Sequence, residues 1–192
     1  MDDADEAHIP ELPAAIRTRR LTLRRVRLED ADDVFSFACE DIWMRLLPDA
    51  RQPYQRRDAE RWVARRFLAH WRTEPTWAIE VDGRVVGWVG LNIEPEHAQA
   101  EVSYAVRPDL RSQGLATEAV RAVVDRVFLD TQLGRVWGRV DPPNVASVRV
   151  LEKVGMQQEA VMRRAFVRQG ELIDLAVYGM LRTDWTPRAL DA

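Results

Sequence analysis

Lysine and cysteine are almost missing from this 192-residue sequence. Lys153 is the only lysine, so the other 27 of the 28 basic side chains are arginine. The only cysteine is Cys39, which leaves no partner for an internal disulfide. A chain without disulfides is typical of a reducing compartment, and we therefore expect a cytoplasmic protein.

An excess of positive charge and a long apolar run are also missing. The net charge of −3 gives no general affinity for nucleic acid or for acidic membranes. No apolar stretch approaches the ~20 residues that a membrane span needs. The histidines His8, His70 and His97 have neither metal-ligand spacing nor cysteine companions. We therefore expect no metal, no nucleic-acid partner and no membrane partner.

The length of the chain fits one domain. Residues 1–15 are acidic and lack the apolar centre of a signal peptide, so they are predicted to form a loose N-terminal arm. Residues 16–192 are then left as a single folded domain.

Apolar periodicity predicts strands and helices that alternate along the chain. The predicted elements are a strand over 19–28, helices over 30–39 and 58–71, two strands that flank Asp82-Gly83, a strand over 100–108, a helix over 116–128, a strand over 134–140, a helix from Asn144 to Gly155, and a final hairpin that turns near Gln169-Gly170. Asp30 is the expected cap of the first helix. Antiparallel meanders mixed with one strand-helix-strand unit indicate an α+β (mixed α/β) architecture.

The segment RPDLRSQGLATEAV, residues 107–120, leads from a predicted strand into a predicted helix. The first turn of a helix carries unpaired N–H groups and a partial positive charge, which together bind anions. Gly114 allows backbone to approach a ligand closely, and Arg111 can add a charge-assisted contact. Neither a GxxxxGK[ST] nor a GxGxxG pattern is present, which disfavours a P-loop hydrolase and a dinucleotide enzyme.

Several motifs of this sequence, taken in order, resemble those of the GNAT superfamily of acyl-CoA N-acyltransferases. RSQGLA, residues 111–116, matches its R/Q-x-x-G-x-G/A signature, and residues 144–155 look like the N-x-x-S-x-x-x-x-E-K-x-G helix of its RimJ/RimL-like branch. Residues 18–24 resemble the opening strand of that branch, and residues 117–119 also fit it. The resemblance covers about residues 16 to 185. It implies a central mixed, mostly antiparallel sheet of about seven strands flanked by four helices.

The resemblance implies that the bound anion is the pyrophosphate of acetyl-CoA. In the family, backbone amides of the loop cradle that group, and a strand before the loop pairs with the pantetheine arm. The coenzyme-binding positions carried over to this sequence are Ala105, Val106, Arg111, Ser112, Gln113, Gly114, Leu115, Ala116, Thr117, Asn144 and Ser147.

Two catalytic residues are implied in the same way. Glu101 lies in the strand before the loop, where many family members place a carboxylate that takes the amine proton; an ordinary surface glutamate is the alternative. Ser147 would stabilise the leaving thiolate by a hydrogen bond, and a polar residue in a capped first turn is the alternative. Many family members use a tyrosine for the thiolate at the position that Leu151 occupies here.

The expected activity is transfer of an acetyl group from acetyl-CoA to a primary amine by direct attack in a ternary complex. The acceptor is an α-amine at a protein N-terminus or the amine of a small molecule. Two alternatives stay open: a different donor such as succinyl-CoA, or a non-catalytic acyl-CoA sensor. Related enzymes often pair as homodimers, and the oligomeric state stays open.

Overall fold

The structure is a computed structural model that describes residues 11–38, 53–168 and 170–187. Within these ranges, eight strands form one sheet with the order β1-β2-β3-β4-β5-β6-β8-β7. The elements, in chain order, are β1 (Ala15–Arg17), β2 (Thr22–Arg25), α1 (Ala31–Ala38), α2 (Arg56–Leu68), β3 (Thr76–Val81), β4 (Arg84–Glu94), β5 (Gln99–Val106), α3 (Leu115–Asp130), β6 (Arg135–Val140), α4 (Val145–Val154), β7 (Gln157–Arg168) and β8 (Glu171–Leu181).

Strands β3, β4 and β5 form the predicted antiparallel meander. The β3–β4 turn consists of Asp82 and Gly83, whose φ angles are +48° and +76°. Two successive positive φ angles are those of a type I′ turn, whose twist matches the twist of the flanking strands. The meander is therefore confirmed, with its turn at the predicted pair.

Strands β5 and β6 are parallel neighbours joined through α3, and they separate along their length. Their pairing comprises Gln99 with Arg135, Ala100 with Val136 and Glu101 with Trp137. Beyond Glu101, residues 102–106 of β5 have no partner on β6. The two strands therefore form a V that opens toward the start of α3.

Each face of the sheet carries one apolar cluster, and each cluster includes two of the helices. The larger cluster contains the valines that α3 turns toward the sheet, together with Leu151 and Val154 of α4. The smaller cluster joins residues of α1 and α2, such as Phe37 and Val63. The predicted inward face of α3 is confirmed, because Val120, Val123, Val124 and Val127 are all fully buried.

Both predicted ends of α4 are confirmed. The Asn144 side chain caps the first turn by accepting a hydrogen bond from the Ser147 N–H at 3.2 Å. The helix ends at Gly155, whose φ of +110° lies in the left-handed region that a glycine accommodates.

The N-terminal part of the fold differs from the prediction. The predicted strand over 19–28 is shorter, because β2 covers Thr22–Arg25 only, and β1 precedes it. Residues 11–15, which were assigned to the loose arm, pack onto the sheet: Leu12 is buried, and its carbonyl accepts a hydrogen bond from the Trp71 indole at 2.8 Å. Residues 1–10 of that arm, and Gln169 of the last turn, lie outside the described residues.

Asp30 does not cap α1 from the predicted position. It is the last residue of a short 3-10 turn, Leu28–Asp30, that leads into α1. Its carboxylate instead accepts a hydrogen bond from the Arg27 N–H at 2.8 Å and pairs with Arg24. The capping function is thus exerted one turn earlier than the periodicity indicates.

None of the helices in the described ranges has the length and apolar character that crossing a membrane requires. Within the same ranges, His, Cys, Asp and Glu side chains do not come together in groups of three or more that could hold a metal ion.

Candidate acyl-CoA site

A cleft of about 820 Å³ lies between β5, the start of α3 and α4. Ten of the eleven positions assigned to coenzyme binding line it: Ala105, Val106, Arg111, Ser112, Gly114, Leu115, Ala116, Thr117, Asn144 and Ser147. Gln113 is the exception, and its backbone carbonyl accepts a hydrogen bond from Arg20 at 2.9 Å. The structure thus brings the start of α3, the start of α4 and the end of β5 to one cavity.

The start of α3 forms the end of the cleft that suits an anion. Gly114 occupies the cap position with a φ of +81°, and no side chain caps the first turn. A β-carbon at Gly114 would meet its nearest atom, a nitrogen of Arg20, at 3.4 Å, so the backbone conformation rather than space favours glycine. The uncapped N–H groups of this turn point to an anion site.

A bracing network holds this loop against the beginning of the domain. The Glu118 carboxylate accepts hydrogen bonds from the Thr18 hydroxyl at 2.6 Å and from the Arg20 N–H at 3.0 Å, and it pairs with the Arg20 guanidinium at 2.7 Å. Arg20 also holds the Gln113 carbonyl. Two of the motifs that suggested the family, residues 18–24 and 117–119, are therefore in direct contact, and together they fix the shape of the anion loop.

We expect Glu118→Gln to weaken both coenzyme binding and folding. Burial alone would raise the pKa of Glu118, but hydrogen bonds from Thr18 and Arg20 outweigh it, so the pKa lies below its ordinary value. A lowered carboxyl pKa stabilises the fold above the unfolded pKa of ~4.3, and this stabilisation is lost as the pH falls. The variant should lose about 1–3 kcal/mol of unfolding free energy at neutral pH.

The check is chemical denaturation of both proteins at neutral pH and near pH 4. The gap in stability should shrink at the lower pH, because Glu118 of the unfolded wild type then begins to take up a proton that the folded carboxylate, with its lowered pKa, still resists. A gap that stays constant across this range would contradict an electrostatic role for Glu118. Exposed Glu152 on α4 forms no ion pair within the described part of the chain, which makes Glu152→Gln the matched control.

The open half of β5 forms one wall of the cleft. The Arg107 N–H donates to the Val86 carbonyl of β4 at 2.8 Å. Because backbone donors alternate along a strand, the Val106 N–H and C=O are directed away from β4, into the V. Arg111 reaches the Val106 carbonyl at 3.4 Å from that side. An extended amide-containing chain placed in the V can therefore pair with β5 as an added strand.

The opposite wall is the first turn of α4, where Tyr104 joins the two elements. The Tyr104 hydroxyl donates a hydrogen bond to the Ser147 carbonyl at 3.1 Å, and both residues line the cleft. Burial raises the pKa of Tyr104 more than this hydrogen bond lowers it, so the phenol stays protonated at neutral pH. Sequence analysis did not single out Tyr104, and the available signal was an aromatic residue in the strand that enters the anion loop.

Leu151 points away from the cleft. It is buried in the larger apolar cluster, and it does not line the cavity. A β-carbon placed on Gly138 of β6 would lie 3.7 Å from the Leu151 side chain. Leu151 therefore packs α4 onto the sheet, and it offers no polar atom to the cleft.

Glu101 lies outside the cleft, at the apex of the V. Its two carboxylate oxygens accept hydrogen bonds from Arg139 at 2.8 and 3.0 Å. Along a strand, side chains alternate between the two faces. Glu101 therefore shares the face of Ala105, which packs against the α1–α2 cluster, while Tyr104 faces α4. The two predicted catalytic residues, Glu101 and Ser147, thus lie on opposite sides of β5.

The charges that line the cleft favour an anionic ligand. Four basic side chains, Arg111, Arg149, Lys153 and Arg168, face two acidic ones, Asp141 and Glu171. Arg168 is paired with Asp141, which neutralises one charge of each sign. The remaining excess of positive charge lies along α4 and the anion loop, where it would attract the phosphates of a nucleotide coenzyme.

An uncapped helix start beside an open strand edge gives a cleft that suits both parts of an acyl-CoA, the phosphates and the amide-containing arm. Residues 20–157 match the Acetyltransferase (GNAT) domain family. The chain therefore belongs to this family, and it is an acetyl-CoA-dependent N-acetyltransferase.

Similar proteins agree with this assignment. The uncharacterized N-acetyltransferase p20 of Bacillus licheniformis is 28% identical over 172 residues, which cover 88% of this chain and 96% of p20. A GNAT-family acetyltransferase structure from Bacillus anthracis has a TM-score of 0.80 at 22% identity and covers 88% of this chain and 99% of that one. RimL, a ribosomal-protein alpha-N-acetyltransferase solved with coenzyme A, has a TM-score of 0.78 at 19% identity. The match covers 91% of this chain and 98% of the RimL chain. The structural similarities confirm the predicted GNAT fold.

Proposed function

We propose that this protein binds acetyl-CoA in the cleft between β5, α3 and α4 and transfers the acetyl group to an α-amine at a protein N-terminus. Attack is direct, within a ternary complex of coenzyme, amine and enzyme. The observation that carries the proposal is the continuity of the cavity, which runs from the uncapped start of α3 to the open edge of β5 and the first turn of α4.

The anion loop and β5 hold the two ends of the coenzyme. The N–H groups of residues 114–117, assisted by Arg111, bind the pyrophosphate. The pantetheine arm then lies in the V and pairs with the free edge of β5 near Val106. In this position the thioester carbonyl accepts a hydrogen bond from the Val106 N–H, which polarises it for attack.

Glu101 is proposed to receive the amine at the other face of the sheet. Each of its oxygens already accepts one hydrogen bond from Arg139, and a carboxylate oxygen has a second lone pair for an amine or a water. An α-amine with a pKa of ~8 has an appreciable neutral fraction at neutral pH, whereas a lysine-like amine with a pKa of ~10.4 has almost none. An α-amine therefore needs less help from a base than a lysine-like amine does. For this reason it is the better substrate for a carboxylate that is already paired with arginine.

Thiol release from acetyl-CoA tests this function. We expect release, with a product heavier by one acetyl group, when peptides with a free N-terminus are supplied. The same peptides with a blocked N-terminus and an internal lysine should react much more slowly. Small-molecule amines and succinyl-CoA complete the panel. Coenzyme binding without product from any amine would contradict catalysis and would leave a sensor as the function.

Ser147→Ala should slow turnover more than it weakens coenzyme binding. In the proposed mechanism the serine hydroxyl stabilises charge on the leaving sulfur, and removing one such donor lowers kcat by about a hundredfold to a thousandfold. Coenzyme binding should change by less than about threefold, because the backbone N–H that Asn144 caps is retained. Steady-state kinetics and calorimetric titration check the two effects. Thr183→Ala, which removes an exposed hydroxyl that follows β8 and lies outside the cleft lining, is the control, and unchanged turnover in Ser147→Ala would remove Ser147 from the mechanism.

A further inference from the structure

We propose that Tyr104, together with Ser147, donates a hydrogen bond to the thiolate that leaves during acetyl transfer. This inference rests on the proposed function. It assigns stabilisation of the leaving thiolate to a residue of β5, because Leu151, at the α4 position where many family members have a tyrosine, has no polar side-chain atom. Tyr104 lies at the middle of the open segment of β5, residues 102–106, along which the pantetheine arm pairs. Its hydroxyl contacts the first turn of α4, where it donates a hydrogen bond to the Ser147 carbonyl.

The chemistry of the step requires a hydrogen-bond donor at sulfur. The amine nitrogen forms a bond to the thioester carbon, the C–S bond breaks, and its electron pair goes to sulfur. The amine proton leaves to Glu101 or to water, so the enzyme must hold a thiolate until solvent protonates it. Burial raises the pKa of Tyr104, so its proton stays on oxygen beside a thiol whose own pKa is ~8.5. Tyr104 therefore stabilises the thiolate as a donor and does not transfer its proton.

The existing hydrogen bond of Tyr104 does not prevent this contact. The Ser147 carbonyl already has the Leu151 N–H as its partner in the regular α-helical pattern. The phenol is thus a second donor to this carbonyl. It can turn toward sulfur without leaving a buried acceptor unpaired, so the rearrangement costs little free energy.

The test measures the thiol of bound coenzyme, so it requires no acceptor amine. Dissociation constants are determined for CoA and for desulfo-CoA, which lacks the thiol, from about pH 7 to about pH 10. If the site stabilises the thiolate, CoA should gain about tenfold over desulfo-CoA as the pH rises, because one unit of pKa is a factor of ten. Tyr104→Phe should lose most of this gain while it binds desulfo-CoA as the wild type does.

The matched control is Tyr178→Phe. Tyr178 is also a buried tyrosine whose hydroxyl donates a hydrogen bond, at 3.0 Å to Gln158, but it does not line the cleft. Tyr178→Phe should keep the full gain of CoA over desulfo-CoA as the pH rises. If the role of Tyr104 were purely structural, Tyr104→Phe would keep this gain as well. A wild-type ratio that does not change with pH would overturn the inference, as would a full gain in Tyr104→Phe. Failure of the wild type to bind either coenzyme would overturn the proposed function itself.

Discussion

Gly114→Glu should abolish binding of acetyl-CoA. In the wild type, coenzyme at about 100 times its Kd should stabilise the fold by about 2.7 kcal/mol, which raises the Tm by several degrees. The variant places a carboxylate at the uncapped start of α3, within reach of Arg20, where it would occupy the site proposed for the pyrophosphate and repel that group. We expect the Kd to rise by at least about a hundredfold, which is roughly 2.7 kcal/mol or more.

Gly83→Glu is the control for backbone strain. Gly83 has nearly the same φ, +76° against +81°, and a β-carbon there meets no atom within 4 Å. Its turn joins β3 and β4 and does not line the cleft. Both variants should therefore lose similar stability without ligand, while only Gly114→Glu loses the thermal shift. A shift that survives in Gly114→Glu would show that the coenzyme phosphates bind elsewhere.

The parts of the fold that could be predicted are those determined by neighbouring residues. The Asp82-Gly83 turn, the valine face of α3 and the two ends of α4 each depend on fewer than about 20 consecutive residues. In contrast, β1 consists of only three residues, too few to show alternation. Its neighbour Leu12 is held by the indole of Trp71, a contact 59 positions apart in sequence that no local pattern reveals.

The candidate site divides in the same way. The anion loop is a continuous segment, so its residues could be assigned from the resemblance of residues 111–116 to the family's signature. The pairing of Glu101 with Arg139 depends on the parallel register of β5 and β6 across the intervening helix. The place of Tyr104 likewise depends on how α4 packs against β5. These contacts arise from tertiary packing, and for this reason the resemblance to the family suggested Glu101 as a base without revealing its arginine partner.

Asp30→Ala should be the most destabilising of the substitutions proposed for this protein. The Asp30 carboxylate is almost fully buried and pairs with Arg24 through two hydrogen bonds, at 3.0 and 2.8 Å. It also accepts the Arg27 N–H at the start of the 3-10 turn. Hydrogen bonding to Asp30 raises the pKa of Arg24 despite its burial, so the guanidinium stays charged, and Glu80 alone would then be left to balance it. Breaking a buried pair by removing one partner costs about 3–5 kcal/mol.

Asp32→Ala separates this effect from the loss of an ordinary carboxylate. Asp32 lies two positions further along and pairs with Arg56, but its side chain is 74% exposed, against 6% for Asp30. Exposed pairs contribute about 0–1 kcal/mol, so urea denaturation should show little change for Asp32→Ala and a large loss for Asp30→Ala. Equal losses would mean that Asp30 acts only as a surface charge. Asp30 does not line the cleft, so the fraction of the Asp30→Ala protein that remains folded should bind acetyl-CoA with unchanged affinity.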